Sequence, residues 1–327
     1  MRLSLPWPIL LAVLAAHAQN PPLSQPVRFS GMSDASAGIV LSSNLFVAAS
    51  DEDNILRVYD INRPGPPIRE FDFNTLLGVT GKSKESDIEG AARIGERIFW
   101  ITSHGRNKNG KERPERWRFF ATDVRVENGQ ATMTPTGRPC KTLLEALIRD
   151  SSFERFGFAK ASMGAPKDRD AINIEGLAAT RNGQLLIGFR NPIPRRKALI
   201  IPLTNPAEVI EGKWPRFGTA IELDLGGLGI RDLAWTGNDY VIIAGPHDGG
   251  RKEELYRWNP VGGGKLERLA GRLPSNFNAE AVMVIPGSEK LQLLSDDGAE
   301  LVEGVEQKEL SDPKKRTFRS VRIGDKE

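Results

Sequence analysis

A short motif recurs five times along this chain, each time a nearly constant distance ahead of a strand-like run that ends in a small residue. The two clearest copies are Asp87-Ile88-Glu89-Gly90 and Asn173-Ile174-Glu175-Gly176. The residue at the third motif position is a carboxylate in four of the five copies, which are Ser36, Glu89, Glu175, Asp232 and Glu280. The small residue follows 13 to 15 positions later, as Ser50, Ser103, Gly188, Gly245 and Ser295. Constant spacing within a unit and variable spacing between units predict a repeat architecture.

Each unit contains four strand-like runs, and most units carry a turn signal such as Asn182-Gly183 between the first two. Five such units with small residues along the inner strands are typical of an all-β protein with the β-propeller fold. A β-sandwich of twenty short strands is the alternative, but it does not explain a motif at equivalent points of five units. A sixth blade remains open if the segment between the second and third units contains a degenerate copy. The strands predicted for the last unit are 282–285, 291–294, 300–305 and 317–323.

The segment between the second and third units interrupts the repeat. Residues 140–158 show the spacing of an amphipathic helix, because their apolar side chains recur at helical intervals, at Leu143, Leu144, Ala146, Leu147 and Ile148. We expect this helical insertion to cap one face of the propeller and to end in a looser tail at Asp170. Residues 19–28 are rich in proline and polar side chains, which predicts an extended arm before a single propeller domain at 29–327.

The first 18 residues have the features of a secretory signal peptide. Arg2 supplies a positive charge, residues 9–16 are all apolar, and Ala16-His17-Ala18 is a small-x-small cleavage site. The alternative is a membrane anchor, but the apolar run is shorter than the ~20 residues that span a bilayer. We therefore expect an exported protein, periplasmic or released from the cell, with no membrane association after cleavage.

Composition narrows the range of partners. The chain has 45 basic and 42 acidic side chains and a net charge of +3. A general nucleic-acid binder needs a concentrated basic face, so nucleic acid is not an expected partner. Cys140 is the single cysteine, which rules out an intramolecular disulfide. We expect a monomer that binds a small anionic molecule.

The motif carboxylates predict a divalent metal site. In a propeller, the start of each inner strand lies at one end of the channel, so Glu89, Glu175, Asp232 and Glu280 should ring the channel mouth. Four carboxylates close together need a counter-charge. Oxygen ligands suit calcium, and further donors are available from the motif residues Asp87, Asn173 and Asn278. The alternative is that each carboxylate accepts hydrogen bonds from backbone N–H groups of its own blade.

The loops between second and third strands should surround this ring, and they are rich in basic residues. The candidates for binding an anionic group are Arg106, Lys108, Arg190, Asn191 and Arg251. His104 and His247 occur at the same point of the repeat and are the candidate general acid and base. A metal with these groups would form a metal-assisted phosphoester or ester hydrolase. The alternative is a non-enzymatic binding or scaffold propeller with a structural metal or none, whose charged loops are merely solvated.

Several stretches resemble a bacterial family known as domain of unknown function 3616. The matching stretches are Ser33-Asp34-Ala35-Ser36-Ala37, Ser50-Asp51-Glu52-Asp53-Asn54, Ser86-Asp87-Ile88-Glu89-Gly90, Ser103-His104-Gly105-Arg106-Asn107 and Asn173-Ile174-Glu175-Gly176-Leu177. More distantly, the [Asp/Asn]-x-Glu-Gly motif is similar to that of phytase-like and esterase-like secreted propellers, and of calcium-binding propellers of the SdiA-regulated type. Their motif falls here on Glu89-Gly90 and Glu175-Gly176. The resemblance implies a secreted propeller that binds calcium.

The other three copies depart from the motif of those relatives. Asp232 is followed by Leu233, Glu280 by Ala281, and the first copy has Ser36. These departures leave the expected ring incomplete at one blade, so a fully phytase-like site is not implied.

Overall fold

The computed structural model describes residues 23–79, 85–250, 252–261, 264–269, 273–288 and 290–324. The predicted signal peptide, the start of the arm at 19–22, and Arg251 lie outside these described residues. Within them, five four-stranded antiparallel sheets are arranged as the blades of a β-propeller, which confirms the predicted fold and the count of five blades.

The strands of the first four blades follow one another in the order of the chain. The chain enters with β1 Val27–Ser30, and the first blade then contains β2 Ala37–Val40, β3 Leu45–Ala49, β4 Ile55–Asp60 and β5 Arg69–Asp72. The second contains β6 Ile88–Ile94, β7 Arg97–Thr102, β8 Phe119–Glu127 and β9 Gln130–Cys140. The third contains β10 Asn173–Ala179, β11 Leu185–Asn191, β12 Ala198–Leu203 and β13 Ile221–Leu223. The fourth contains β14 Gly229–Trp235, β15 Tyr240–Gly245, β16 Glu254–Asn259 and β17 Lys265–Arg268.

The fifth blade is built from both ends of the described chain. It contains β18 Ala279–Val284, β19 Leu291–Ser295 and, after a two-stranded hairpin of β20 Leu301–Val302 and β21 Val305–Glu306, β22 Thr317–Ile323. Its outermost strand is β1, which pairs antiparallel with β22. Residues 27 and 28, which the sequence assigns to the arm, therefore belong to the ring. This pairing joins the N-terminal strand to the last blade.

One strand prediction in the fifth blade is wrong. Residues 300–305 were expected to form the third strand, but the third strand is β22, and residues 301–306 form the separate hairpin. The physical reason is that β1 supplies the fourth strand, so the blade needs only three strands from its own segment. The Phe29 ring of β1 is buried against Phe46, Tyr59 and Phe318, with ring centroids 5.1 to 5.4 Å apart.

The core lies between adjacent blades. The innermost strands contact one another in order around the ring, and β18 contacts β2. The second strands are covered on both faces by neighbouring blades, so they are apolar runs rather than alternating ones, as in the fully buried β3. Gly188 lies where the third and fourth blades meet, and a Cβ at this position would lie 2.7 Å from Ile230 Cγ2. The small residue at Gly188 in β11 thus follows from blade packing.

The helical insertion lies where the sequence predicts it, between the second and third blades. Its helices are α2 Leu143–Arg149 and α3 Phe158–Ala161, separated by a 3-10 turn at Ser151–Phe156. The buried faces of these helices pack with Phe189 and other residues of the second and third blades. Short helices α1 Asn74–Leu77 and α4 Pro206–Ile210 lie in the first and third blades. Among the described residues, no helix is long and apolar enough to cross a membrane.

Candidate functional site

The motif lies at a β-bulge on the innermost strand of four of the five blades. The pairing between first and second strands skips one residue at Glu89, Glu175, Arg231 and Glu280. In the first blade the corresponding residue is Ser36, whose N–H donates to Ala49 O although Ala49 is paired with Ala37. A bulge places two residues opposite one and turns the extra side chain away from the regular alternation. The equivalent position in the fourth blade is therefore Arg231.

The motif alignment of the fourth blade is consequently wrong by one residue, and Asp232 is not a member of the ring. Its Oδ1 accepts the N–H of Leu233 and its Oδ2 accepts the N–H of Val282 in the next blade, both at 2.8 Å. Burial raises the pKa of Asp232 well above its ordinary value. Oδ1 thus accepts a backbone N–H group of its own blade, as the hydrogen-bonding alternative predicted, whereas Oδ2 accepts one from the next blade.

A substitution separates this role from metal binding. Asp232→Asn replaces one acceptor oxygen by an N–H₂ group that faces a buried backbone N–H. We expect the variant to be destabilised by about 1–3 kcal/mol, the usual penalty for an unsatisfied buried donor, and to keep the calcium response of the wild type. Urea denaturation with chelator and with calcium measures both quantities. Loss of the response to calcium in this variant would indicate that Asp232 is a metal ligand.

Arg231 neutralises the ring on the side of the third, fourth and fifth blades. Its guanidinium forms an ion pair with Glu280, and it lies 3.6 Å from Glu175 Oε2 and 3.5 Å from Glu253 Oε1. A second cation, Arg190, lies 2.6 Å from Glu175 Oε1. Glu175 and Glu280, two of the predicted metal ligands, therefore already have cationic partners within the protein.

The remaining carboxylates collect on the opposite side of the mouth, between the fifth, first and second blades. We call this group the acidic cluster: Asp34, Asp51, Glu52, Asp87 and Glu89. Oxygens of Asp34, Asp51 and Glu52 lie within 4.8 Å of one another, and so do oxygens of Asp51, Asp87 and Glu89. Within the described chain, the only ion pair of the cluster joins Asp87 to Arg116, at 2.8 Å.

The folding of three blades brings these side chains together. Asp34 precedes the first inner strand and forms a bridge with Asp296 at the end of the fifth blade. Asp51 and Glu52 follow β3, and their loop is held by bonds from Asp51 N to Ser36 Oγ and from Glu52 N to Ser50 Oγ. In the second blade, Asp87 has a positive φ of 63° just before β6, and Glu89 is the bulged residue of that strand.

The electrostatics of the cluster are unfavourable without a counter-ion. Burial, followed by repulsion from neighbouring carboxylates, raises the pKa of Asp51 and Glu89 well above the ordinary range. Burial also raises the pKa of Asp87 to about 6, although Arg116 opposes the shift. Asp51 Oδ1 is buried and has no hydrogen-bond partner among the described residues. An unpaired buried oxygen amid other carboxylates is the donor set that a hard divalent cation requires, so the residues present fit calcium.

Some predicted ligands lie apart from this cluster, and three members of the cluster were not predicted. Asn173 Nδ2 donates to Glu175 Oε1, and Asn278 Nδ2 donates to Asp296 Oδ2. Asp87 and Glu89 are the two predicted metal ligands within the cluster. Asp34, Asp51 and Glu52 were not predicted as ligands. Their signal was available in the acidic run that follows the first small residue, but their proximity to Asp87 depends on how the blades close.

The two candidate histidines have separate partners. His104 is 1% exposed, and its Nδ1 lies 2.7 Å from Thr102 O, to which the imidazole donates. Burial lowers the pKa of His104 to about 4. His247 Nδ1 lies 3.1 Å from Lys167 O in the tail of the insertion. Both imidazoles thus bind backbone carbonyls through Nδ1.

Three of the candidate anion-binding residues are bonded to the insertion or to other groups of the propeller. Arg106 Nε donates to Ser162 O, and Asn191 Nδ2 donates to Pro166 O and Asp168 O. Arg190 Nε donates to Pro246 O in addition to its pair with Glu175. Lys108 is exposed. The tail of the insertion is therefore fastened to loops of the second, third and fourth blades, away from the blades that supply Asp34 and Asp51.

Solved structures similar to the chain include two of bacterial origin. The glutaminyl cyclase of Myxococcus xanthus is 11% identical, with a TM-score of 0.44, and the match covers 83% of this chain and 90% of that one. A protein of Thermus thermophilus described as a putative oxidoreductase (glucose dehydrogenase) is 12% identical, with a TM-score of 0.43, and the match covers 93% of this chain and 99% of that one. No curated protein matches the chain.

A family model provides the assignment. The model described as "Protein of unknown function (DUF3616)" matches residues 119–292, from the third strand of the second blade into the fifth blade. The match spans more than half of the 327 residues. It agrees with the resemblance found in the sequence motifs, and the chain belongs to the DUF3616 family.

Proposed function

We propose that this protein is an exported propeller that binds calcium in the acidic cluster and, through the cation, a small anionic ligand at the channel mouth. The observation that carries the proposal is the buried Asp51 Oδ1, which lacks a hydrogen-bond partner among the described residues and belongs to two groups of neighbouring carboxylates. Calcium accepts six to eight oxygen ligands in loose geometry, so carboxylates from three loops suit it.

The bound cation would also attract the anionic ligand. Without it, the cluster presents carboxylates that repel a phosphate or carboxylate group. Two of the basic residues that the sequence offered for this role, Arg106 and Arg190, are already bound to carbonyls and to Glu175. Binding of the anion is therefore expected to require the cation.

Histidine-assisted hydrolysis lacks support from the position of His104. A general acid or base must come within hydrogen-bonding reach of the reacting group, whereas the His104 side chain is buried and bound to Thr102 O. The structure therefore favours a role for the site in binding over histidine-assisted hydrolysis. The scaffold alternative, without a bound anion, is an outcome of the test below.

Export is part of the proposal. Support for export comes from the features of a secretory signal peptide in residues 1–18.

The test uses the mature protein after removal of residues 1–18. Bound calcium is measured by elemental analysis, and binding of radiolabelled inorganic phosphate is measured by equilibrium dialysis with calcium and with chelator. We expect calcium in the purified protein, and phosphate binding only when calcium is present. Protein that holds no calcium would overturn the proposal. Calcium without phosphate binding would support the scaffold alternative.

A further inference from the structure

The inner strands of the propeller enclose a cavity that lies apart from the acidic cluster. It has a volume of about 190 Å³, and β2, β6, β10, β14 and β18 all contribute to its lining. The lining residues come from the later part of each strand, such as 91–93 of β6 and 233–235 of β14. Because the motif lies at the start of each inner strand, this axial cavity lies toward the opposite end of the channel.

The lining of the axial cavity is apolar apart from one arginine. Four positions after the bulged residues, and after Ser36 in the first blade, the five blades place Val40, Arg93, Ala179, Trp235 and Val284 in the lining. Among the described residues, Arg93 is the one charged residue that lines the cavity. A mostly apolar cavity with a single well-placed polar group is typical of a site for a small organic ligand.

The Arg93 guanidinium is held in place but keeps two donors free. Its Nε donates to Gly95 O at 2.8 Å, and its Nη1 donates to Val40 O at 3.3 Å and to Leu41 O at 3.0 Å. These bonds fix the half-buried side chain between the first and second blades. Arginine has five N–H donors in one plane, and the two on Nη2 have no acceptor among the described residues.

The charge of Arg93 also lacks a partner within the described chain. Glu96 is exposed and acts on the guanidinium without forming an ion pair with it. Burial lowers the pKa of Arg93, and Glu96 opposes the shift. By contrast, Arg97 of the same blade donates to both oxygens of Asp123, at 2.8 and 3.2 Å. Charges that are withdrawn from water are normally paired, so the free donors of Arg93 suit an anion.

We propose that the axial cavity binds a small aryl carboxylate, whose ring lies within the cavity and whose carboxylate accepts hydrogen bonds from Arg93 Nη2. An apolar cavity of about 150 Å³ accepts benzene, so a cavity of about 190 Å³ accommodates one ring with its carboxylate. A single guanidinium balances a single negative charge, which favours a carboxylate over a phosphate dianion at an apolar site.

The walls of the cavity suit an aromatic ring. The indole of Trp235 lines the cavity, and Tyr240 packs against it with ring centroids 4.8 Å apart. The buried thioether of Met283 is also in the lining. Contacts of an aromatic ring with other rings and with sulfur stabilise a complex beyond the burial of area. An aryl group therefore fits these walls better than an alkyl chain.

Isothermal titration calorimetry of the mature protein in chelator tests the inference, with benzoate as the probe and benzamide as its uncharged counterpart. Chelator removes calcium from the acidic cluster, so an anion held by calcium at the mouth does not contribute. We expect benzoate to bind about tenfold more tightly than benzamide, because hydrogen bonds to charged groups are stronger. Absence of benzoate binding, or equal affinity for the two probes, would overturn the inference and leave the calcium proposal standing.

Two variants locate the site. Arg93→Met should weaken benzoate binding about tenfold and leave benzamide binding unchanged, which also shows that the cavity is intact. Arg97→Met is the matched control, because this half-buried arginine already pairs with Asp123 and lies outside the lining; it should change neither affinity. Ala179→Phe places a ring in the cavity and should abolish binding of both probes. Equal losses in Arg93→Met and Arg97→Met, or retained binding in Ala179→Phe, would contradict the site.

Discussion

Replacement of Arg231 by methionine is expected to destabilise the protein by about 3–5 kcal/mol, the range for removing one partner of a buried ion pair. The side chains of Arg231 and Glu253 are each 4% exposed, and Glu280 also depends on this guanidinium. Methionine leaves Glu253 and Glu280 without a cation, whereas Glu175 keeps Arg190. Urea denaturation of the variant in chelator measures the loss.

A double-variant cycle shows whether the loss comes from charge. If it does, Glu280→Gln should be less destabilising in the Arg231→Met background than in the wild type, because residues in one ion-pair network couple. The matched control is Arg195→Met, which breaks an exposed pair with Glu222. Such surface pairs contribute about 0–1 kcal/mol. Independent, additive losses for Arg231 and Glu280 would show that packing, and not the ion pair, accounts for the effect.

The fold was predictable because the repeat is a property of the chain itself. Each unit carries its own motif, turn signals and small residue, so five blades follow from pattern alone. The closure of the ring was not predictable in this way. The fourth strand of the last blade is β1, whose pairing with β22 joins residues nearly three hundred positions apart. Nothing local to residues 300–305 indicates that the blade does not need them.

The candidate site was only partly predictable, for a related reason. Asp232 and Arg231 are adjacent, and a one-residue difference at the bulge decides which of them faces the ring. Similarity to Glu89 and Glu175 favoured the carboxylate, but the pairing of β14 with β15 places Arg231 at the bulge. Proximity of Asp34, Asp51 and Asp87 depends on how three blades meet, which one sequence does not show. The types of residue in the candidate site could be inferred from the sequence, but which of these residues lie close together depends on the fold.

Asp51→Asn is expected to change the stability of the protein in opposite directions with and without calcium. In chelator, the variant should melt above the wild type, because it removes one charge from a cluster of carboxylates that has one ion pair among the described residues. In calcium, it should melt below the wild type, because it loses binding energy that stabilises the folded state. A ligand at a thousand times its dissociation constant contributes about 4 kcal/mol, which corresponds to a shift on the order of 10 °C for a domain of this size.

The crossing of the two melting temperatures distinguishes a metal ligand from a structural carboxylate. If Asp51 had only a structural role, the substitution would destabilise the protein under both conditions, since a hydrogen-bond acceptor would be lost whether or not calcium is present. Differential scanning calorimetry at one pH, with Asp248→Asn as the unaffected control, separates the two cases. Asparagine is the appropriate replacement because it keeps the shape of aspartate while removing its charge. Equal destabilisation in chelator and in calcium would therefore contradict a role for Asp51 in a calcium site.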